Sequence, residues 1–333
     1  MSIAVWPPIS PEELRRKAAE SLDRDLQWIV RETISLCHEL KHSIEDCYAL
    51  LAPIDPGSTL VMSTHRNEKV KGTITRVGTR IIKGVRHGLF SLTLSLHSCR
   101  ATINLQLRTL PPSQINLSPS EPIHVPALDA LHTHLTQAID LLGLTLSSTP
   151  TASSLASALA VLSESISESR ALLKGTGDSD ADPAWQTSSC PAHHFSPPLP
   201  SNLSFYVALQ DSSIVLWLRA LEPAHLPVHF GTKLGLAIGT FRRLEHDEMD
   251  VVFKYHPEGD GGCEPKRGGS DARGPRMSGK KSVAEEVFVR EKVRVESADP
   301  SLISLYSKLG QLGNMLGLAG RNLAAIMGED PDV

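Results

Sequence analysis

The sequence predicts a mixed α+β fold in which an antiparallel helical bundle domain and an antiparallel β-sheet domain are each assembled from discontinuous segments. Apolar residues recur at steps of three and four near the start, in the middle and at the end of the chain. Two intervening segments change to a step of two, the period of a strand with one buried face. Glycine, proline and serine gather where one period gives way to the other, as they do at turns and element borders.

The first helical block runs from Ser10 to Leu51, with Leu22, Leu26, Ile29, Thr33, Leu36, Leu40, Ile44, Cys47 and Leu51 along one face. Ser10 supplies an N-cap, Pro11 a first-turn proline, and Glu12 and Glu13 acid at the positive end of the dipole. Pro53 and Pro56 stop the helix. Between Ser58 and Thr109 the period is two, as in Val70, Gly72, Ile74, in Phe90, Leu92, Leu94, Leu96 and in Ile103, Leu105, Leu107. This reads as an antiparallel meander, with Gly57, Gly78, Gly84 and Gly88 in its turns and Arg66-Asn67-Glu68 at a hairpin tip. A Pro- and Ser-rich connection spans Pro111 to Pro126. The helical period then returns in Leu128, Leu131, Leu135, Ala138, Leu142 and, after Pro150, in Leu155, Leu159, Leu162, Ile166, Leu173, an αα-hairpin.

Residues 175–200 are rich in Pro, Gly, Ser and Asp and read as a flexible or extended linker. Strand signals resume at Leu203 to Leu209 and Ile214 to Leu221 around a turn at Asp211-Ser212, then at Leu236 to Phe241, Met249 to Tyr255 and Val283 to Val295. Pro257 to Ser282, basic and rich in Gly and Pro, lacks the apolar area to order itself and reads as a disordered loop. The last helix opens at Asp299-Pro300. Its seam, Leu302, Leu305, Leu309, Leu312, Leu316, Ala319, Leu323 and Ile326, follows alternating steps of three and four, a coiled-coil-like pattern. Gly310, Gly313, Gly317 and Gly320 flank it. A glycine inside a helix costs about 1 kcal/mol against alanine, so four of them predict close approach of a neighbouring helix. The helical bundle domain is thus expected from residues 10–52, 124–174 and 298–328, and the β domain from 58–109 and 203–296. Residues 175–200 link them, and 257–282 form the loop.

Composition bounds the function. The 333 residues carry 33 Lys and Arg against 37 Asp and Glu, a net charge of −4, and 41% are hydrophobic, which excludes a disordered charged tail. A chain of about 300 residues buries about three quarters of its unfolded surface, so the core needs no staples. The five cysteines are scattered without a Cys-x-x-Cys pair, which favours a reducing compartment. Met1 to Pro8 lacks the pattern of a secretory signal. The longest uncharged stretch, between Asp140 and Glu164, is loaded with Ser and Thr, so no transmembrane helix is expected.

Three motifs invite an enzyme reading. His38-Glu39-Leu40-Lys41-His42 fits H-E-x-x-H on a helix, where two histidines share a face and a glutamate can act as base toward Zn²⁺. This gives an alternative function, a zinc-dependent hydrolase built on His38, Glu39 and His42. Against it, Leu40 belongs to the buried face, Lys41 sets a cation beside the proposed metal, and no third ligand follows at a familiar distance. Gly274 to Lys281 resembles a P-loop but has Lys281 where a hydroxyl is needed for Mg²⁺. Cys190-Pro191-Ala192-His193-His194 has too few ligands for a metal. Neither metal nor cofactor is therefore expected. The basic stretches Lys69, Lys71, Arg76, Arg80, Lys83, Arg86 and Lys266, Arg267, Arg273, Arg276, Lys280, Lys281 lack the interleaved aromatic rings of single-strand binders. They read as solvated faces rather than nucleic-acid sites, with docking onto an acidic protein as the functional alternative.

The order helix, strands, helix pair, linker, strands, helix accompanies several local runs. These are Asp25-Leu26-Gln27-Trp28, Val70-Lys71-Gly72, Gln137-Ala138-Ile139-Asp140-Leu141-Leu142, Leu199-Pro200-Ser201-Asn202-Leu203 and Leu216-Trp217-Leu218-Arg219-Ala220-Leu221. In this the chain resembles the Rogdi leucine-zipper family, which includes the smaller subunit of the fungal RAVE complex, a regulator of vacuolar-type ATPase assembly. The resemblance implies a non-enzymatic cytoplasmic protein that reaches vacuolar or endosomal membranes only through its partners. Those partners would be a large β-propeller-containing scaffold subunit, a Skp1-type adaptor and the soluble sector of the proton pump. The closing seam suits an intramolecular bundle or a self-associating coiled-coil structural protein equally well. No partner-binding residue is singled out.

Overall fold

The computed structural model describes residues 9–53, 57–64, 67–86, 101–105, 107, 110–111, 113–117, 122–175, 184–225, 246–256 and 284–328. The fold is mixed α+β and divides into two compact units. One holds residues 1–51, 128–173 and 301–333, the other residues 52–127 and 174–300. The described helices are α1 (Pro11–Leu51), α2 (Pro126–Ser147), α3 (Ala152–Lys174), the short α4 (Ala184–Ser188) and α5 (Pro300–Met327).

In the helical unit the cap expected at Ser10 forms: the Glu13 amide donates to Ser10 Oγ at 3.2 Å. A further cap, not expected from the sequence, stands at the head of α3, where the Ser154 amide donates to Thr151 Oγ1 at 3.2 Å. Four sets of contacts then close a ring. Tyr48 meets His132 at 3.0 Å, and Lys41 lies beside Gly143, so α1 and α2 run antiparallel. His134 meets Glu168 between α2 and α3 at 3.3 Å. Arg170 stacks over Tyr306 and Ile166 packs at Gly313, which makes α3 and α5 antiparallel. Lys308 meets Asp46 at 3.3 Å, and Ala319 and Asn322 line a groove with Ile29 to Glu39, so α5 returns antiparallel to α1. The result is an up-down-up-down four-helix bundle. Its core takes Leu40, Ile44, Leu51, Leu128, Leu135, Leu142, Leu155, Leu162 and, from α5, Leu302, Leu305, Leu309, Leu312, Leu316 and Leu323. No residue of α1 before Ile29 is buried, although Leu22 and Leu26 continue the apolar face.

The other unit holds β1 (Ser58–Thr64), β2 (Asn67–Val77), β3 (Arg80–Arg86), β4 (Ala101–Leu105), β5 (Ser113–Leu117), β6 (Ile123–His124), β7 (Phe195–Ser196), β8 (Leu203–Gln210), β9 (Ser213–Pro223), β10 (Val252–Tyr255) and β11 (Glu285–Ala298). An antiparallel, strongly curled half-barrel sheet runs in the order β6-β3-β2-β1-β11-β9-β8, with β10 also paired to β11; β4, β5 and β7 make a separate three-stranded sheet. Asp211 and Ser212 both have positive φ, 47° and 58°, the type I′ geometry that matches strand twist in a two-residue hairpin. In β11 the register against β9 shifts between Val289 and Glu291. This bulge inverts which residues face which side of the sheet from there on.

Two expectations change. The segment expected as a linker contains, from residue 184 on, α4, a 3₁₀ turn at Ala192–His194 and β7. Trp185, Phe195 and Leu199 are buried there, and the Cys190 amide donates to the Phe205 carbonyl at 2.8 Å. Three apolar anchors outweigh a Pro- and Ser-rich composition. The Pro111–Pro126 connection likewise carries β5 and β6, with Ile115, Leu117, Ile123 and Val125 buried. The strand expectations at Phe90 to Leu96 and Leu236 to Phe241, the tip at Arg66 and the loop at 257–282 lie outside the described residues.

Candidate interaction surfaces

The residues singled out from sequence fall in three kinds of place. His38, Glu39 and His42 are exposed on α1, and His42 Nδ1 pairs with Glu45 Oε2 at 3.2 Å. Among the described residues no three His, Cys, Asp or Glu side chains come together as metal ligands. The seam of α5 turns inward: Leu302, Leu305, Leu309, Leu312, Leu316, Ala319 and Leu323 are buried, and Ile326 is half-buried. Zippering two chains through that seam would require the bundle to open. Of the flanking glycines, Gly310 and Gly313 face α3 at ordinary contact distance, whereas among the described residues Gly320 has no neighbour within 4 Å of a Cβ and Gly317 meets only Arg321 of its own helix. Close helix approach therefore does not account for all four.

Arg76, expected on a solvated face, is 3% exposed and forms an ion pair with Asp299, which is 0% exposed; its Nη1 also donates to the Gly78 carbonyl at 2.7 Å. The pair ties the β2–β3 hairpin to the point where the chain leaves β11. Arg80 is exposed. The side chains of Lys69, Lys71, Lys83 and Arg86 and the whole second basic stretch, including the P-loop-like run, lie outside the described residues.

The most elaborate polar site was not anticipated from sequence. On β9, Trp217 and Arg219 alternate onto one face; on β11, the bulge brings Lys292 and Arg294 to the same face, with Lys292 directly opposite Arg219 and Arg294 opposite Trp217. Three cations surround the Trp217 ring. Lys292 Nζ lies 4.7 Å from its centroid, Arg294 5.2 Å and Arg219 5.3 Å, while Arg219 also sits 4.6 Å from the Trp185 ring. The negative ring faces attract these cations. Like charges directly across a strand pair nevertheless repel, and Arg219 is almost wholly buried.

Acid from a separate turn, residues 246–250, resolves that conflict. Glu248 accepts from Arg219 Nε at 2.7 Å and Nη2 at 2.8 Å, a bidentate pair, and from Lys292 Nζ at 2.8 Å. Asp247 accepts from the same Lys292 at 2.8 and 2.9 Å. Burial alone would raise the Glu248 pKa, but hydrogen bonds and charge from Arg219 and Lys292 outweigh it and hold the carboxyl below its ordinary range. Asp247 is held down in the same way by Lys292. Burial lowers the pKa of His246 against the pull of Glu248 and Asp247. The Glu248 amide donates to His246 Nδ1 at 3.2 Å, as suits a neutral ring. The sequence signals were the pairs Trp217-x-Arg219 and Lys292-x-Arg294, which are visible only if the bulge is known.

The family model described as Rogdi leucine zipper containing protein matches residues 25–324. No curated protein matches the chain.

Proposed function

The chain belongs to the Rogdi leucine zipper family, and on that premise we propose that it is a non-enzymatic subunit of a RAVE-like complex. As a protein–protein adaptor it promotes assembly or reassembly of the vacuolar proton-translocating ATPase. The observation that carries this reading is the reach of the family match, from within α1 to within α5, so that segments of both units belong to it.

The work of such an adaptor is geometric. A bundle and a curled sheet display surfaces to a large β-propeller-containing scaffold, to a Skp1-type adaptor and to the soluble sector of the pump, and no bond is made or broken. The protein then acts in the cytoplasm and reaches vacuolar or endosomal membranes through its partners. The exposed His38 and His42, without a third ligand among the described residues, lend the zinc-hydrolase alternative no support.

Affinity purification of the tagged full chain from cell extract tests the proposal. The scaffold and the soluble pump sector are expected to co-purify, and a clean preparation containing neither overturns the reading. Deletion of the chain is expected to impair vacuolar acidification, with the pump subunits still made but their sectors apart.

A further inference from the structure

We propose that the Trp217 face of the sheet is a docking site for an acidic peptide segment of a protein partner. The chain's own Asp247-Glu248 turn fills it until such a segment displaces the turn. The inference stands independently of the pump-assembly reading.

The floor of the site is built for carboxylates. Arg219 and Lys292 lie directly opposite one another and, with Arg294, border one indole ring. Such a floor is unfavourable without a bridging anion. The anion present is a carboxylate pair: Glu248 touches both opposed cations, and Asp247 adds a second contact to Lys292. The chain thus displays the chemistry that the face accepts, two adjacent acids on a short irregular segment.

Three features make the turn a displaceable occupant. It is not a strand, and the backbone hydrogen bonds that shape it, Met249 to His246 at 3.3 Å and Val251 to Glu248 at 3.5 Å, stay within the turn. The side chains of the turn hold it on the sheet, Asp247 and Glu248 through the cations and His246 through the Val289 backbone. Asp247 remains 63% exposed while engaging Lys292, so a competing carboxylate can approach from solvent. Finally, Arg219 Nη1 is buried with no acceptor among the described residues while the turn is seated, a donor that an incoming acidic segment can satisfy. Both occupants use the same cations, so partner binding and release of the turn are one equilibrium. The tethered turn acts at an effective concentration on the order of millimolar, which sets the threshold a partner must exceed.

The probe is a fluorescein-labelled, end-blocked peptide of residues 246–250, His-Asp-Glu-Met-Asp, titrated with the full chain at low salt by fluorescence anisotropy. The chain carrying Asp247→Asn with Glu248→Gln is expected to bind it saturably and at least about tenfold more tightly than the unaltered chain, with the affinity falling at about 0.5 M NaCl. Adding Lys292→Gln and Arg294→Gln to that variant is expected to abolish the gain. A folded double-neutral chain that gains no peptide affinity overturns the proposal, as does a gain indifferent to Lys292 and Arg294. Uptake of inorganic phosphate or an oligonucleotide in place of the peptide also overturns it. If the double variant fails to fold, Asp247→Asn alone decides: several-fold tighter binding than the unaltered chain supports the proposal, and equal binding overturns it.

Discussion

Two buried charge contacts, one deep and one at a surface turn, make opposite kinds of demand on single residues. Arg76 and Asp299 are both nearly inaccessible, and taking one charge out of such a pair leaves the other desolvated without its partner. Arg76→Ala is therefore expected to cost about 3–5 kcal/mol, read as a lower denaturant midpoint at unchanged slope. Replacing both residues by apolar ones of similar volume should recover much of that loss; a double-replacement chain no better than Arg76→Ala would show that the pair is not the cause. Glu248 makes a pH-dependent demand instead. Its folded pKa lies below the ordinary 4.5, so the stability it contributes is complete above the unfolded value and is lost as the pH falls through the lower folded one. The unaltered chain should thus be more stable than Glu248→Gln at pH 7, with the gap closing as unfolding is measured at successively lower pH below about 4.5. A gap that stays constant with pH would assign the difference to packing rather than to charge.

Glycines placed in two kinds of element separate local propensity from tertiary fit. Gly320 lies inside α5, and a Cβ there meets nothing within 4 Å among the described residues, so Gly320→Ala should stabilise by about 1 kcal/mol and raise the melting temperature of the helical signal. Gly175, past the end of α3, has φ +68°, and a Cβ would come 2.3 Å from the Leu209 carbonyl oxygen. Gly175→Ala is expected to destabilise by more than that gain, with unfolding curves of the two variants shifting in opposite directions. The same contrast explains what the sequence made legible. The long helices and the β8–β9 hairpin were readable because many residues repeat one period and a two-residue turn has its own chemistry. Short elements such as α4, β5 and β6 offer too few residues for a period, and their place is decided by distant anchors such as Trp185. The Trp217 face was hidden for a sharper reason. Strict alternation places Lys292 and Arg294 on the side opposite Val289, and only the bulge between Val289 and Glu291 returns them to the side of Arg219.

For the molecule as a whole, the closing seam poses one question: does a 3,4 pattern find its partner in its own chain or in a second copy? The contacts of α5 with α3 through Ile166 and Arg170, and with α1 through Asp46, flank the seam within one chain, and Leu309 is 0% exposed without any second copy. An aspartate at that position is taken out of water into an apolar core, and an unpaired buried charge is strongly destabilising. Leu309→Asp is therefore expected to unfold the helical unit, seen as lost helical circular dichroism. Leu309→Ala should cost about 2–5 kcal/mol while leaving the mass by light scattering the same as that of the unaltered chain at every concentration. A zipper between copies requires the reverse: Leu309→Asp would remain helical and turn a concentration-dependent dimer into a folded monomer. The two outcomes differ in both helix content and mass, so one pair of variants decides whether the leucines of α5 build a subunit or join two.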